Sequence, residues 1–236
     1  MSSRKTQKQA NRVVREQLAR ETRRRRLLLI SAAAVAVVVV AGLVGLVVSQ
    51  SQSAVAGYST PAHATADHTG IVTSPGGPTV AVYLDYLCPN CKKFEAGAGP
   101  TLSQWAADKK ITLVYQPIAI LNDSTEPTGY STRAGAAAAC AADGNKFVEY
   151  TAALYAAQPG EGSAGLDDDT LVKTGTGVGL GATFESCVRA GKYTSWMKHN
   201  TDESSRKNVN GTPTVMVNGK VVETSIDAIK KAANIS

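Results

Sequence analysis

Cysteine is scarce in this sequence, four residues in 236, which excludes a small domain stapled by disulfides in place of a core. Aromatic residues are scarce as well, at 6%, yet 43% of the chain is hydrophobic, so a disordered chain is also excluded. No glycine-rich phosphate loop follows a strand-like run. Positive charge is missing over a long stretch, since no Lys or Arg lies between Arg26 and Lys92. Residues 1–26 hold ten Lys/Arg against two acids, whereas residue 27 onward holds 15 against 17, so the chain's net +6 belongs to a tail. That distribution does not describe a basic globule, and no nucleic-acid partner is expected.

The segment after the tail is equally one-sided. Leu27 to Val48 is a run of 22 residues without a charge, enough as a helix at about 1.5 Å per residue to cross a bilayer core of about 30 Å. Arg23 to Arg26 abut its N-terminal end, so the positive-inside rule keeps residues 1–26 cytoplasmic and exports the rest. The tail also suits anionic lipid headgroups. We read residues 27–48 as a transmembrane anchor; the alternative is a cleaved signal peptide, with Ala54-Val55-Ala56 as the small-residue cleavage site. Residues 49–70 are rich in Ser, Ala, Thr, Gly, Pro and His without an apolar period, which reads as a flexible tether carrying His63 and His68 as solvated residues.

The exported part reads as strand, helix, strand, helical insert, strand, strand, helix. Thr79–Leu87 is a β-branched and aromatic run that predicts a buried strand. Pro89 suits a first helical position, and Cys91–Lys110 carries Phe94, Leu102, Trp105 and Ala106 at helical spacing before a second strand, Ile111–Ile118. This βαβ unit implies a parallel strand pair. Residues 126–207 are Ala/Gly-rich with helical patches over 132–143, 146–157, 167–174, 183–190 and 193–207. Thr214–Asn218 and Lys220–Glu223 flank Asn218-Gly219, a hairpin signal, and Ile226–Ala233 closes with a helix. Trp105, Trp196, Phe94, Phe147 and Phe184 are expected in the core. Tyr86 and Leu87 are expected either to line an apolar groove or to pack on the insert.

Chemistry concentrates at Cys88-Pro89-Asn90-Cys91. Two cysteines on the first helical turn after a strand stand within disulfide reach, and the unsatisfied N–H groups of the helix start favour the thiolate of the first. A low-pKa thiolate leaves readily and stabilises the reduced form, as an oxidant of other thiols requires. A static disulfide or half a zinc site are the other readings of such a pair. Zinc is discounted because Cys140 and Cys187 are isolated in sequence and His199 has no ligand-spaced companion. Cys140 and Cys187 are read as a structural disulfide, worth about 4 kcal/mol in the chain-entropy model, against the alternative of two buried thiols. The sequons at Asn122 and Asn210 are read as coincidences.

A strand–CPxC–helix unit with Gly211-Thr212-Pro213-Thr214 before a hairpin resembles the thioredoxin superfamily. The Ala-rich insert is similar to that of the disulfide-bond oxidoreductase A (DsbA)-like branch, in its membrane-anchored bacterial form. The resemblance spans about residues 71–234 and implies an α/β thioredoxin fold with an inserted all-helical subdomain, preceded by one N-terminal transmembrane helix. It implies that Cys88 is the nucleophile, that Cys91 resolves the mixed disulfide, and that Pro213 is cis and faces Cys88. Thr212, Pro89 and Asn90 would meet substrate, with the Thr212 backbone free to pair with an extended segment. Asn90 stands where stronger oxidants have His, and Val82 stands where many relatives have an acid, with Asp85 and Glu95 the nearest carboxylates.

The expected activity is therefore introduction of disulfides into reduced or unfolded exported proteins, with no cofactor beyond the Cys88/Cys91 couple. Reoxidation would come from a quinone-linked membrane oxidase of DsbB or VKOR type. The alternatives are a reductase or isomerase of the same fold, such as one serving cytochrome maturation, and a tethered binding or chaperone module with an inert disulfide.

Overall fold

In the computed structural model, which describes residues 57–235, Ile71–Ser74 forms a short strand, β1, ahead of the central strand β2, Thr79–Leu84. Helix α1, Pro89–Ala107, then leads to β3, Thr112–Pro117. β2 and β3 run parallel, with Val80 opposite Leu113 and Val82 opposite Tyr115, as a βαβ crossover requires. β4, Thr214–Val217, pairs antiparallel with β2, and β5, Lys220–Val222, with β4, giving the order β1-β3-β2-β4-β5. Between the β4 and β5 strands, Asn218 and Gly219 both take positive φ, 48° and 78°, the backbone that a two-residue hairpin turn demands. Helix α7, Ile226–Ala233, is capped by the Ser225 hydroxyl, which accepts from Ala228 N–H at 3.3 Å.

Two boundaries and one added strand depart from the sequence reading for local reasons. The strand expected over Thr79–Leu87 stops at Leu84 because Asp85 turns the chain: its carboxylate accepts from Leu87 N–H at 2.8 Å. The helix expected to Lys110 ends at Ala107, where Lys109 adopts a left-handed φ of 57°. β1 has no counterpart in the sequence reading, since four residues broken by a bulge opposite β3 are too few to display alternation.

The inserted subdomain comprises α2 (Tyr130–Asp143), α3 (Phe147–Ala156), α4 (Asp168–Gly177), α5 (Ala182–Arg189) and α6 (Thr194–Arg206). Helix α2 is buried along most of its length, and Ala134, Gly135 and Ala136–Ala139 let its neighbours approach closely. Cys140 on α2 and Cys187 on α5 are joined by a disulfide, with Cα atoms 5.9 Å apart. Trp196, Phe147 and Phe184 are buried as expected, while Phe94 and Trp105 pack partly exposed at the edge of the core.

The tether expected over residues 49–70 needs correction for the part that is described. Residues 58–70 lie against the domain: Ala62 N–H donates to Asp143 at 2.9 Å, the Trp196 indole to the His68 carbonyl at 2.6 Å, and Lys207 to Asp67 at 3.0 Å. Tyr58 stacks on His199 at 4.6 Å, and the His63 ring bonds Asn145 at 2.7 Å. Gly70 permits this approach, since a Cβ there would lie 2.7 Å from Val114. The tail, the apolar run over 27–48 and residues 49–56 lie outside the described residues. Among those described, no helix is long and apolar enough to cross a membrane.

Candidate functional site

Cys88 is the N-cap of α1, and Pro89 opens the helix without sacrificing a hydrogen bond. Both cysteines are free thiols, Cys88 5% and Cys91 1% exposed, with Pro89 and Asn90 exposed between them. The Thr212–Pro213 peptide bond is cis, and the Cys88 thiol donates to the Thr212 carbonyl at 3.2 Å. Four of the residues named from sequence, Cys88, Cys91, Thr212 and Pro213, are thus brought together across 124 positions of chain.

The electrostatics separate the two thiols. A hydrogen bond from the Cys91 thiol favours the Cys88 thiolate, overcoming burial, and the Thr212 hydroxyl and the N–H groups of Cys91 and Asn90 add to it, holding Cys88 down to about 5. The same bond and burial push Cys91 far up. When the proton is on Cys88 it points to Thr212 O; once it leaves, that carbonyl has no donor from sulfur. Asn90 supplies backbone N–H here and no side-chain charge.

Neither nearby carboxylate takes the place that Val82 leaves empty as an obvious partner of Cys91. Asp85 is fully buried and spends its side chain on Leu87 N–H, Leu121 N–H and the Ser131 hydroxyl, at 2.8, 2.9 and 2.7 Å. Burial nevertheless pushes its carboxyl up. Glu95, one turn along α1 from Cys91, accepts from the Tyr115 hydroxyl at 3.2 Å and is also pushed up by burial.

Beside the cysteines lies a groove of about 600 Å³ lined by Asn90, Phe94, Thr212, Pro213, Thr224 and Ile226. Tyr86 and Leu87 are not part of it. Both are fully buried, and the Tyr86 hydroxyl bonds Thr151 at 2.9 Å, so they pack on the insert. Three insert residues that sequence reasoning missed reach this turn. Besides Thr151, Tyr155 donates to the Asp85 carbonyl at 3.2 Å, and the Gln158 amide donates to the carbonyls of Tyr86 and Cys88 at 2.9 and 3.0 Å. The spacing of Thr151 and Tyr155 was visible as one helix face, but Gln158 lies just past the helix end and nothing local named the target of any of the three. The described residues hold no group of three or more His, Cys, Asp or Glu placed to hold a metal ion.

Comparison with known proteins agrees with this geometry. The family model described as thioredoxin matches residues 74–234. The oxidised DsbA of Mycobacterium tuberculosis is 34% identical, aligned over 66% of this chain and 83% of that one with a TM-score of 0.58. The reduced disulfide bond oxidoreductase DsbG of the same organism is also 34% identical, over 66% and 77%, with a TM-score of 0.58. A curated relative, the serine/threonine-protein kinase PknE of M. tuberculosis, is 27% identical over 166 residues, which is 66% of this chain but only 29% of that protein. The chain therefore spans less than a third of the curated relative it matches. Fold, paired thiols and relatives converge: the chain belongs to the thioredoxin family, as a DsbA-like thiol-disulfide oxidoreductase with a helical insertion.

Proposed function

We propose that this oxidoreductase works as a donor of disulfides to reduced exported proteins, from the outer face of the cell membrane. The observation that carries the reading is the asymmetry of the pair: Cys88 is held down to about 5 at a helix start, while Cys91 is buried and pushed up. A stabilised Cys88 thiolate favours the reduced enzyme, and therefore the oxidised substrate.

In the oxidised enzyme, a substrate thiolate attacks Cys88 Sγ, the Cys88–Cys91 bond breaks, and Cys91 departs with the electron pair and takes a proton. A second substrate thiolate then attacks the substrate sulfur of the mixed disulfide, and Cys88 leaves as a thiolate. Two electrons pass from the substrate dithiol to the enzyme pair, and the substrate gains one disulfide. In the oxidised enzyme Cys88 has no proton to give the Thr212 carbonyl, which leaves that acceptor beside Pro213 open to the backbone of an extended substrate. Asn90 and Pro89, exposed at the mouth, would meet the same segment. Phe94 and Ile226 give the adjacent groove an apolar wall.

The apolar run over 27–48 supports a single-pass anchor with the basic tail inside, against anionic headgroups. An enzyme so placed requires an oxidant to restore its disulfide, and a quinone-linked membrane oxidase of DsbB or VKOR type fits that need. The reading is tested by the equilibrium reduction potential of the Cys88/Cys91 couple. A value between about −120 and −200 mV is expected; one near or below about −270 mV overturns disulfide donation and leaves a reductase.

A further inference from the structure

The turn that carries Cys88 is held by the helical insertion as well as by the thioredoxin half. After β2 ends at Leu84, residues 85–88 leave the sheet; the Asp85 and Cys88 carbonyls accept from the Cys88 and Lys92 N–H groups at 3.1 and 3.2 Å, and the insert supplies further donors. A single face of α3 and its C-terminal extension meets them. Thr151, Tyr155 and Gln158, spaced four and three apart, bond respectively the Tyr86 hydroxyl, the Asp85 carbonyl and the carbonyls of Tyr86 and Cys88. Gln158 is the telling member. An amide nitrogen has two protons, and here each goes to a different carbonyl, one of them that of the nucleophile's own residue.

We infer that Gln158 is a positioning residue for the thiol-disulfide exchange, holding Cys88 Sγ where the N–H groups at the start of α1 stabilise its thiolate. Two effects act in the same direction. The bonds fix the Tyr86 and Cys88 carbonyls and so the orientation of Cys88 towards the helix axis. The amide protons also place the positive end of a dipole beside a residue that becomes negative. The charged and titratable groups around the cysteine pair are Asp85 in the turn, Glu95 on α1, Lys93 on the same helix at the adjoining groove, and Tyr86 and Tyr155 at the contact with α3. Gln158 itself carries no charge, and it is half-buried at a helix end, where an apolar side chain of similar length can be accommodated.

The inference rests on Cys88 being the activated thiol, and the test separates the two. Reduced full-length protein is alkylated over a range of pH, and the midpoint of the Cys88 rate is read in the parent, Gln158→Met and Tyr155→Phe chains. In Gln158→Met the midpoint is expected to rise by about one unit, which slows alkylation at pH 5 several-fold and leaves the rate above pH 9 unchanged. Tyr155→Phe should shift it the same way by less. An unmoved midpoint in Gln158→Met, whether or not the protein is less stable, overturns the inference while leaving Cys88 as the activated thiol. Should Gln158→Met fail to fold, Gln158→Leu, which also removes both amide protons, is read in its place, and an unmoved midpoint there does the same. A parent midpoint near 9 overturns both the activated thiol and the role of Gln158.

Discussion

The thioredoxin half and the inserted helices solve the same packing problem with different residues. Around β2, branched and aromatic side chains fill the space: Val80, Val82, Leu84, Leu113, Tyr115 and Val215 are almost wholly buried. Around α2, backbone does much of the filling, because alanines and Gly135 let neighbouring helices close in on all sides. A sheet offers two broad faces that large side chains cover, whereas a central helix in a bundle must present small residues to several neighbours at once. An alanine-rich layer buries less apolar area per residue, so it relies more on covalent closure. The disulfide lies in that half alone, and the free thiols Cys88 and Cys91 in the other.

The sharpest way to break the comparison is to remove sulfur from each half in turn. Cys88→Ser should abolish exchange, and Cys91→Ser, whose lone Cys88 thiolate attacks a disulfide-bonded substrate and expels one substrate thiolate, should accumulate a mixed disulfide that survives non-reducing electrophoresis; turnover by either variant would sink the assigned roles. Changing Cys140 and Cys187 together to Ala should instead leave the Cys88 alkylation midpoint in place and cost about 4 kcal/mol in denaturant unfolding. If the pair of changes costs nothing, closure is not what holds the insert.

Smaller effects sharpen the contrast. Gly175→Ala on α4 gains about 1 kcal/mol of helical preference but drives a methyl into the Phe184 ring, and a net loss of about 1–3 kcal/mol is expected in thermal unfolding. The reactive half should add a pH dependence that follows its redox state. Because Cys88 falls from an ordinary thiol value of 9.0 to about 5 on folding, its contribution to the reduced form is fully present above pH 9 and is lost as pH falls through 5. The stability difference between reduced and oxidised protein should therefore shrink from pH 9 to pH 5, and a flat difference would contradict the activated thiolate.

The smallest effect is expected where residues 58–70 meet the insert. Burial opposes ionisation of Asp67, but the Thr65 hydroxyl and Lys207 hold its carboxyl down to about 2. Asp67→Asn should cost less than about 1 kcal/mol, since both partners are partly exposed, and the loss should vanish as pH falls through 2. Amide hydrogen exchange over Tyr58–Gly70 gives the local readout.

Much of the architecture was legible because its signals are local. The β-branched run before Cys88, the proline opening α1, the Asn218-Gly219 turn and the helical patches of the insert each declare themselves within a few residues. The site was legible in part for the same reason: Cys88-Pro-Asn-Cys91 and Gly211-Thr-Pro213 are contiguous motifs. Asp85 was noticed only as a neighbouring acid, and its bond to Ser131 spans 46 positions. Residues 58–70 read as a tether because their composition is polar, yet the polar groups find partners on the insert.

By itself, the sequence determined the order of elements, the pair of reactive sulfurs at a helix start and the cluster of charge before a long apolar run. Short-range sterics, capping and periodicity act between neighbours, so they can be read in order along the chain. Only the tertiary structure decided between a Cys140–Cys187 disulfide and two buried thiols, and showed that Thr212 meets Cys88 and that Gln158 reaches back 70 positions to the Cys88 carbonyl. Those contacts depend on where packed helices and strands come to rest relative to one another, which no single segment encodes.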